Sequence, residues 1–313
     1  MVTMLRSNVP SDAARELVRG AYDLHVHVAP DVMRRRITDV ELAHRFAGLG
    51  LAGFALKSHY VPTAERAAVV TATGPGVDVI GAITLNAAVG GINPLAVEIA
   101  ARSGARIVWL PTVDAANHRS AHGTMPPGAT PPLWLALQEE LAAKGMRQPE
   151  VAVVDDEGRL LPQTRDVLRL VAEHGLVLAT GHLGRAEILT VTRAAFELGV
   201  RHVVVTHPDF PYQRLTADEQ LVLAEMGALL ERTFTTPYTG KCDWSEMVAT
   251  IRHTGLTRSL VTTDLGQPDN PPVEDGLALM ADALLLAGFD ASEVRTAIVT
   301  NSRRLVAPDS SQP

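Results

Sequence analysis

Five short runs in this chain put histidine, lysine or aspartate where side chains from separate segments could meet at one chemical site. They are Asp23-Leu24-His25-Val26-His27, Lys57-Ser58-His59, Thr180-Gly181-His182, Thr206-His207-Pro208 and Thr262-Thr263-Asp264. In an extended strand residues i and i+2 project to the same face, so His25 faces with His27 and Lys57 with His59. Imidazoles gathered around one carboxylate suit a borderline-soft divalent ion, typically Zn2+, with a position left open for water. Taken singly, any of these histidines has a plain structural role as its alternative. The chain holds 11 histidines but a single cysteine, Cys242. That excludes an internal disulfide and a cysteine-rich zinc site, and leaves metal binding to histidine and carboxylate.

Such residues meet only if the elements that carry them end at a common place. Short apolar runs alternate with longer segments of helical period, the order of βα units and a parallel sheet. Eight strands are expected, at Tyr22 to His27, Gly53 to Lys57, Asp78 to Thr84, Arg106 to Leu110, Leu176 to Thr180, His202 to Thr206, Ala228 to Phe234 and Ser259 to Asp264. Thr38 with Glu41 spells a capping box, Asn93-Pro94 a cap followed by a first-turn proline, and Thr216 precedes an acidic first turn. Gly50, Gly104, Gly175, Gly199 and Gly255 mark helix stops before the next strand. Eight such units predict a single (β/α)8 TIM-like barrel occupying residues 1–313, with the strand ends converging on one mouth. Residues 111–162 break the rhythm with HGTMPPGATPP, a short helix and a hairpin turning at Asp156-Glu157-Gly158, and are expected as an insertion after strand 4 near that mouth.

Composition narrows the class of function. With 313 residues, 20% charged and 46% hydrophobic, the chain is a folded protein rather than a disordered or collagenous one. A net charge of -7 argues against a nucleic-acid surface. No apolar run is long enough to span a membrane, and the first twenty residues lack a signal-peptide core, so a cytoplasmic protein acting on a small molecule is expected, with a homo-oligomer left open. Arg34-Arg35-Arg36 follows the His-x-His closely; planar bidentate guanidiniums there suit a substrate carboxylate or phosphate, against the alternative of a solvated loop. Arg34, Arg35, His59 and Tyr60 are the candidate substrate contacts. His44, His174, His202 and His253 fall in helices or at the wrong strand end, and His118 and His122 fall in the insertion.

The His-x-His after strand 1, single histidines after strands 5 and 6 and an aspartate after strand 8 resemble the amidohydrolase superfamily of metal-dependent barrel hydrolases. The tail segment Ala297 to Val306 (AIVTNSRRLV) is similar to the closing segment of those enzymes, and DLHVHVAPD also resembles a group of uncharacterised bacterial proteins related to them. The resemblance implies that His25, His27 and Asp264 bind one metal, and that His182 and His207 bind a second or, in one-metal members, help hold metal and substrate. It also implies a lysine or glutamate bridge after strand 4, and here the chain departs, because that strand ends in Trp109-Leu110-Pro111-Thr112. Lys57 is the substitute, as a carboxylated bridge between two metals, a free ammonium that polarises the substrate, or a plain ion pair.

The expected chemistry is hydrolysis of an amide, cyclic amide, lactone or amidine-type bond of a small, anionic substrate by metal-activated hydroxide. Asp264 would shuttle the proton, and His207 or Lys57 would stabilise the oxyanion. The alternatives are a metal-dependent decarboxylase or hydratase on the same barrel, and a metal- or ligand-binding protein without catalysis.

Overall fold

Thr38 begins the first long helix as its spacing to Glu41 predicts. The Thr38 hydroxyl accepts from the Glu41 amide while the Glu41 carboxylate accepts from the Thr38 amide, and Gly50 ends the helix in the left-handed conformation. Asn93 and Thr216 cap their helices through the side chain in the same way. The computed structural model describes residues 8–120 and 133–306. His122, in the insertion, lies outside them.

The helices alternate with eight strands: β1 (Tyr22–Val26), β2 (Gly53–Leu56), β3 (Asp78–Thr84), β4 (Ala105–Trp109), β5 (Val177–Ala179), β6 (His202–Val205), β7 (Leu229–Thr233) and β8 (Ser259–Thr262). All pair in parallel with their sequence neighbours from β1 to β8. The sheet closes just beyond the strand ends, where the His27 amide donates to Leu265 O and the Asp264 amide to His25 O, both at 2.8 Å. The buried Asp23 carboxylate reinforces that seam by accepting from the Thr263 amide (3.1 Å) and hydroxyl (2.5 Å). The fold is a (β/α)8 barrel. Its interior is filled by Leu24, Ala55, Ile80, Ile107, Trp109, Val177, Val204, Leu229 and Leu260, and Leu305 and Val306 from the C-terminal helix complete that cluster. Two larger apolar layers pack the barrel's outer face against the helices.

One irregularity decides where the histidines point. Asp23 pairs with Phe54 and Val26 with Leu56, so β1 spends three residues where β2 spends two. The extra residue is a bulge, and beyond it every side chain changes face. Leu24 belongs to the interior cluster, whereas Val26 packs with the outer layer. His25 and His27 therefore turn into the mouth instead of away from it.

The described residues of 111–162 include the helix Ala116–Ser120, the helix Leu133–Ala143 and an antiparallel bridge between Val154 and Leu160 closed by a turn from Asp155 to Gly158. Among the described residues no helix is long and apolar enough to cross a membrane.

Candidate metal centre

The bulge places His25 and His27 beside the residue that follows β8. Both Nε2 atoms lie 3.2 Å from the same oxygen of Asp264, Oδ1. The three side chains can present ligand atoms within 4.8 Å of one another. Asp264 has a φ of 54°, in the left-handed region, and this turns its carboxylate inward rather than onward along the strand. Its neighbour Gly266 has a φ of 134°, and a Cβ built there would sit 1.6 Å from His27 O, so only glycine permits the close approach of the two loops.

Lys57, from the end of β2, lies with Nζ 2.8 Å from His25 Nε2 and 5.3 Å from the centre of the Trp109 ring. The Lys57 nitrogen thus joins the nitrogen and oxygen donors that a divalent ion would take here. Burial lowers Lys57 to about 8, against the opposing charges of Asp264 and Glu231. His25 behaves oppositely. Burial and Lys57 push it down, yet Glu231 and Asp264 together raise it to about 9. Burial holds His27 near 3 and His207 near 4, so both rings are neutral and able to act as ligands at neutral pH. Asp264, though buried, is held well below the carboxylate range by His25 and His27.

Glu231 is the residue that the sequence reading passed over. It sits mid-β7 at i+2 from the inward Leu229, and the period of two puts it inside the barrel. Its Oε1 accepts from His25 Nδ1 (2.9 Å) and the Thr262 hydroxyl (3.0 Å), and its Oε2 from the His207 amide (3.0 Å). Holding a proton on Nδ1 makes Nε2 the nitrogen that coordinates once its own proton is displaced. The signal was available, since a carboxylate inside an otherwise apolar strand (LLERT) must have a buried partner. The adjacent Arg232 points to the outer face, fully buried, and donates to Asp209 Oδ2 (2.6 Å) and Gln220 Oε1 (2.7 Å), tying down the loop that follows His207.

His182 and His207 lie side by side with ring centres 4.9 Å apart. His207 adopts a φ of 23°. Its buried Nδ1 has no hydrogen-bond partner among the described residues. His118, from the insertion, stacks on His182 with Nδ1 to Nδ1 at 2.6 Å, and so is placed against the site. His59 stacks on His27 at 5.0 Å and its Nδ1 meets the Thr112 hydroxyl at 2.9 Å. Thr112 is what β4 supplies at the mouth, and Asn86 also donates to it.

These residues floor a cavity of about 380 Å3 to which Lys57, His59, His182, His207 and Asp264 all contribute. Arg35 lines it too, with its guanidinium paired to Asp31 at 2.6 Å. Arg34 is exposed and takes no part in the lining, and Arg36 donates to the carbonyls of Pro268 and Asn270. Tyr60 is buried beside Val113 and Trp134, behind the wall rather than on it. The wall itself includes Phe210, Trp134 and Lys241, none of which the strand-end reasoning singled out. His174 and His253 bond to Glu98 and Asp218 away from the cavity, and Cys242 is a free, partly buried thiol.

The barrel recurs in solved structures. The chain is similar to an amidohydrolase from Pseudomonas aeruginosa, at 12% identity and a TM-score of 0.57 over 94% of this chain and 98% of that one. It is similar to the probable dipeptidase PvdM from the same organism (11%, 0.60, 94% and 96%) and to a probable 2-pyrone-4,6-dicarboxylic acid hydrolase from Acinetobacter baumannii (12%, 0.55, 91% and 98%). The likeness to these structures is one of fold. Residues 20–231 match the family described as "Family of unknown function (DUF6282)", and the chain belongs to that family. No curated protein matches the sequence.

Proposed function

We propose that the protein is a metal-dependent hydrolase acting on an amide, cyclic amide, lactone or amidine-type bond of a small molecule. The observation that carries this reading is the approach of His25 Nε2 and His27 Nε2 to one oxygen of Asp264, with Lys57 alongside. His25, His27 and Asp264 would hold one divalent ion, which two imidazoles and a carboxylate suit to Zn2+, and Lys57, His182 and His207 would hold a second. Such an ion acidifies water towards neutral pH and polarises a carbonyl. The fold neighbours named as an amidohydrolase and a hydrolase support the reaction class.

The chain's own groups supply the proton handling. Asp264 stays ionised, and the Thr235 hydroxyl donates to its Oδ2 at 3.2 Å, leaving a carboxylate that can take the proton of attacking water and return it to the leaving group. His207, with Nδ1 unpaired, offers a polar contact to the substrate's developing oxyanion. Lys57, lowered to about 8, presents a substantial neutral fraction to CO2. Addition forms the N–C bond of a carbamate and releases a proton, giving the bridging form proposed for this residue. Intact mass measured at neutral pH with and without bicarbonate separates that form from the free amine.

The end of β4 supports a second reading. With Thr112 there, engaged by His59 and Asn86, the strand offers no bridging ligand, and a one-metal decarboxylase or hydratase fits the same barrel. Metal analysis followed by a screen of amides, lactones and aromatic acids tests both. Hydrolysis with loss on chelation supports the first; CO2 release or hydration without hydrolysis supports the second. Asp264→Asn is expected to retain most metal and lose at least about a hundredfold in turnover, as removal of a general base does; near-wild-type activity would remove Asp264 from that role.

A further inference from the structure

The sequence places its arginines near the mouth; in the structure Arg34 is exposed, Arg36 is bonded to the carbonyls of Pro268 and Asn270, and Arg35 lines the cavity but is paired to Asp31, whereas a further cation faces the cavity. Lys241 follows the short helix Thr235–Tyr238 after β7, its backbone fixed by a hydrogen bond from its amide to Thr236 O at 3.0 Å. Its Nζ stands 4.8 Å from the centre of the Phe210 ring and lines the cavity. Among the described residues no carboxylate lies within ion-pair distance of it, whereas Arg35 has Asp31 and His25 has Glu231 and Asp264. Burial lowers its pKa from the ordinary lysine value, with the charge of Asp264 opposing, as befits an ammonium lacking a close counter-ion.

The spacing gives the ligand's shape. The Phe210 ring lies 4.8 Å from the His207 ring and 4.8 Å from Lys241 Nζ, so one aromatic ring is in contact with both the floor of the site and the ammonium. Trp134 and Met33 add apolar surface to the lining, and the volume of about 380 Å3 is at the small end for ligand pockets. A lone ammonium is a point charge without a guanidinium's fork, which suits a singly charged carboxylate. The exposed Asp269 on the rim disfavours a second anionic group there.

We propose that Lys241 is a specificity-determining residue, binding the carboxylate of a small substrate whose aromatic or apolar body lies along Phe210 and whose reacting carbonyl reaches the His25, His27 and Asp264 cluster. The assignment rests on the hydrolase reading for the place of the reacting bond, but recognition of the charge is measurable by binding alone. The probes are 4-acetamidobenzoate and its neutral counterpart 4-acetamidobenzamide, each with an amide carbonyl one ring away from the group in question.

Titration calorimetry on the metal-loaded full chain is expected to show the acid binding about tenfold more tightly than the neutral probe, the scale of a charge-assisted hydrogen bond. Lys241→Met should bring the two within about twofold, and Lys241→Arg should keep the preference for the acid, since both forms of the cation supply a charged donor. Equal affinities or absent binding of the acid in the wild-type protein would overturn the proposal. So would a preference that survives Lys241→Met, as direct binding of the carboxylate to the metal would produce. Acetate release is scored separately. A Lys241-dependent preference without release counts against amide hydrolysis and leaves the lysine assigned; release without the preference does the reverse.

Discussion

Glu231 decides the protonation of the site although it contacts neither the cavity nor, on this account, the metal. Its carboxylate accepts from His25 Nδ1 at 2.9 Å and, lowered to about 2 by the charges of His25, His207 and Lys57 against its burial, stays ionised through the neutral range. Replacing an outer partner of a metal-binding histidine typically costs about 10- to 100-fold in affinity, and Glu231→Gln is expected to weaken Zn2+ binding by that factor in a competition titration with a chelating dye. Unchanged affinity would show that the tautomer is fixed by something else. The same pairing makes metal uptake pH-dependent. His25 is raised to about 9, so below that pH an incoming ion must displace its proton, and apparent affinity should fall by up to about tenfold per pH unit from 9 down to 7. Calorimetry at pH 7.5 in buffers of different ionisation enthalpy should register the release of about one proton for this ligand; no release would contradict the shift.

At the scale of the elements, three local devices aim the site. The β1 bulge turns His25 and His27 inward, the left-handed φ at Asp264 turns its carboxylate to meet them, and Gly266 lets the β8 loop lie against His27. Gly266→Ala would drive a Cβ into the His27 carbonyl and force the β1 and β8 loops apart. The expected result is a loss of metal affinity together with a destabilisation of about 2–4 kcal/mol, read from chemical denaturation of the metal-free protein. A variant with native stability and metal content would show that the seam is not what positions the ligands. These devices also mark where sequence reasoning runs out. The strand positions follow from apolar runs and turn residues, and all eight lie within two residues of their expected ends, because βα units impose regular punctuation. The bulge carries no such signal, since nothing in Asp23-Leu24-His25 distinguishes a slipped strand from a regular one. The i, i+2 pairing of the two histidines survives because both lie beyond the bulge.

For the whole molecule, closure of the barrel is what makes a site from residues 239 positions apart in sequence, since His25 and Asp264 meet across the β1 and β8 seam. Strand-end logic therefore found His25, His27, Lys57, His182, His207 and Asp264, all of which the structure brings to one mouth. It did not find Glu231, which works from inside a strand, nor His118, Phe210, Trp134 and Lys241, which reach the cavity from long connections whose path no periodicity describes. It set Arg34 at the site on proximity in sequence, and the loop carries that side chain outward. Anomalous diffraction at the zinc edge from crystals of the Zn2+-loaded protein should show a peak within bonding distance of His25 Nε2, His27 Nε2 and an Asp264 oxygen, about 2.0–2.2 Å away from each. A loaded crystal with no peak at those three residues, or with its zinc held by surface histidines alone, would contradict the metal centre.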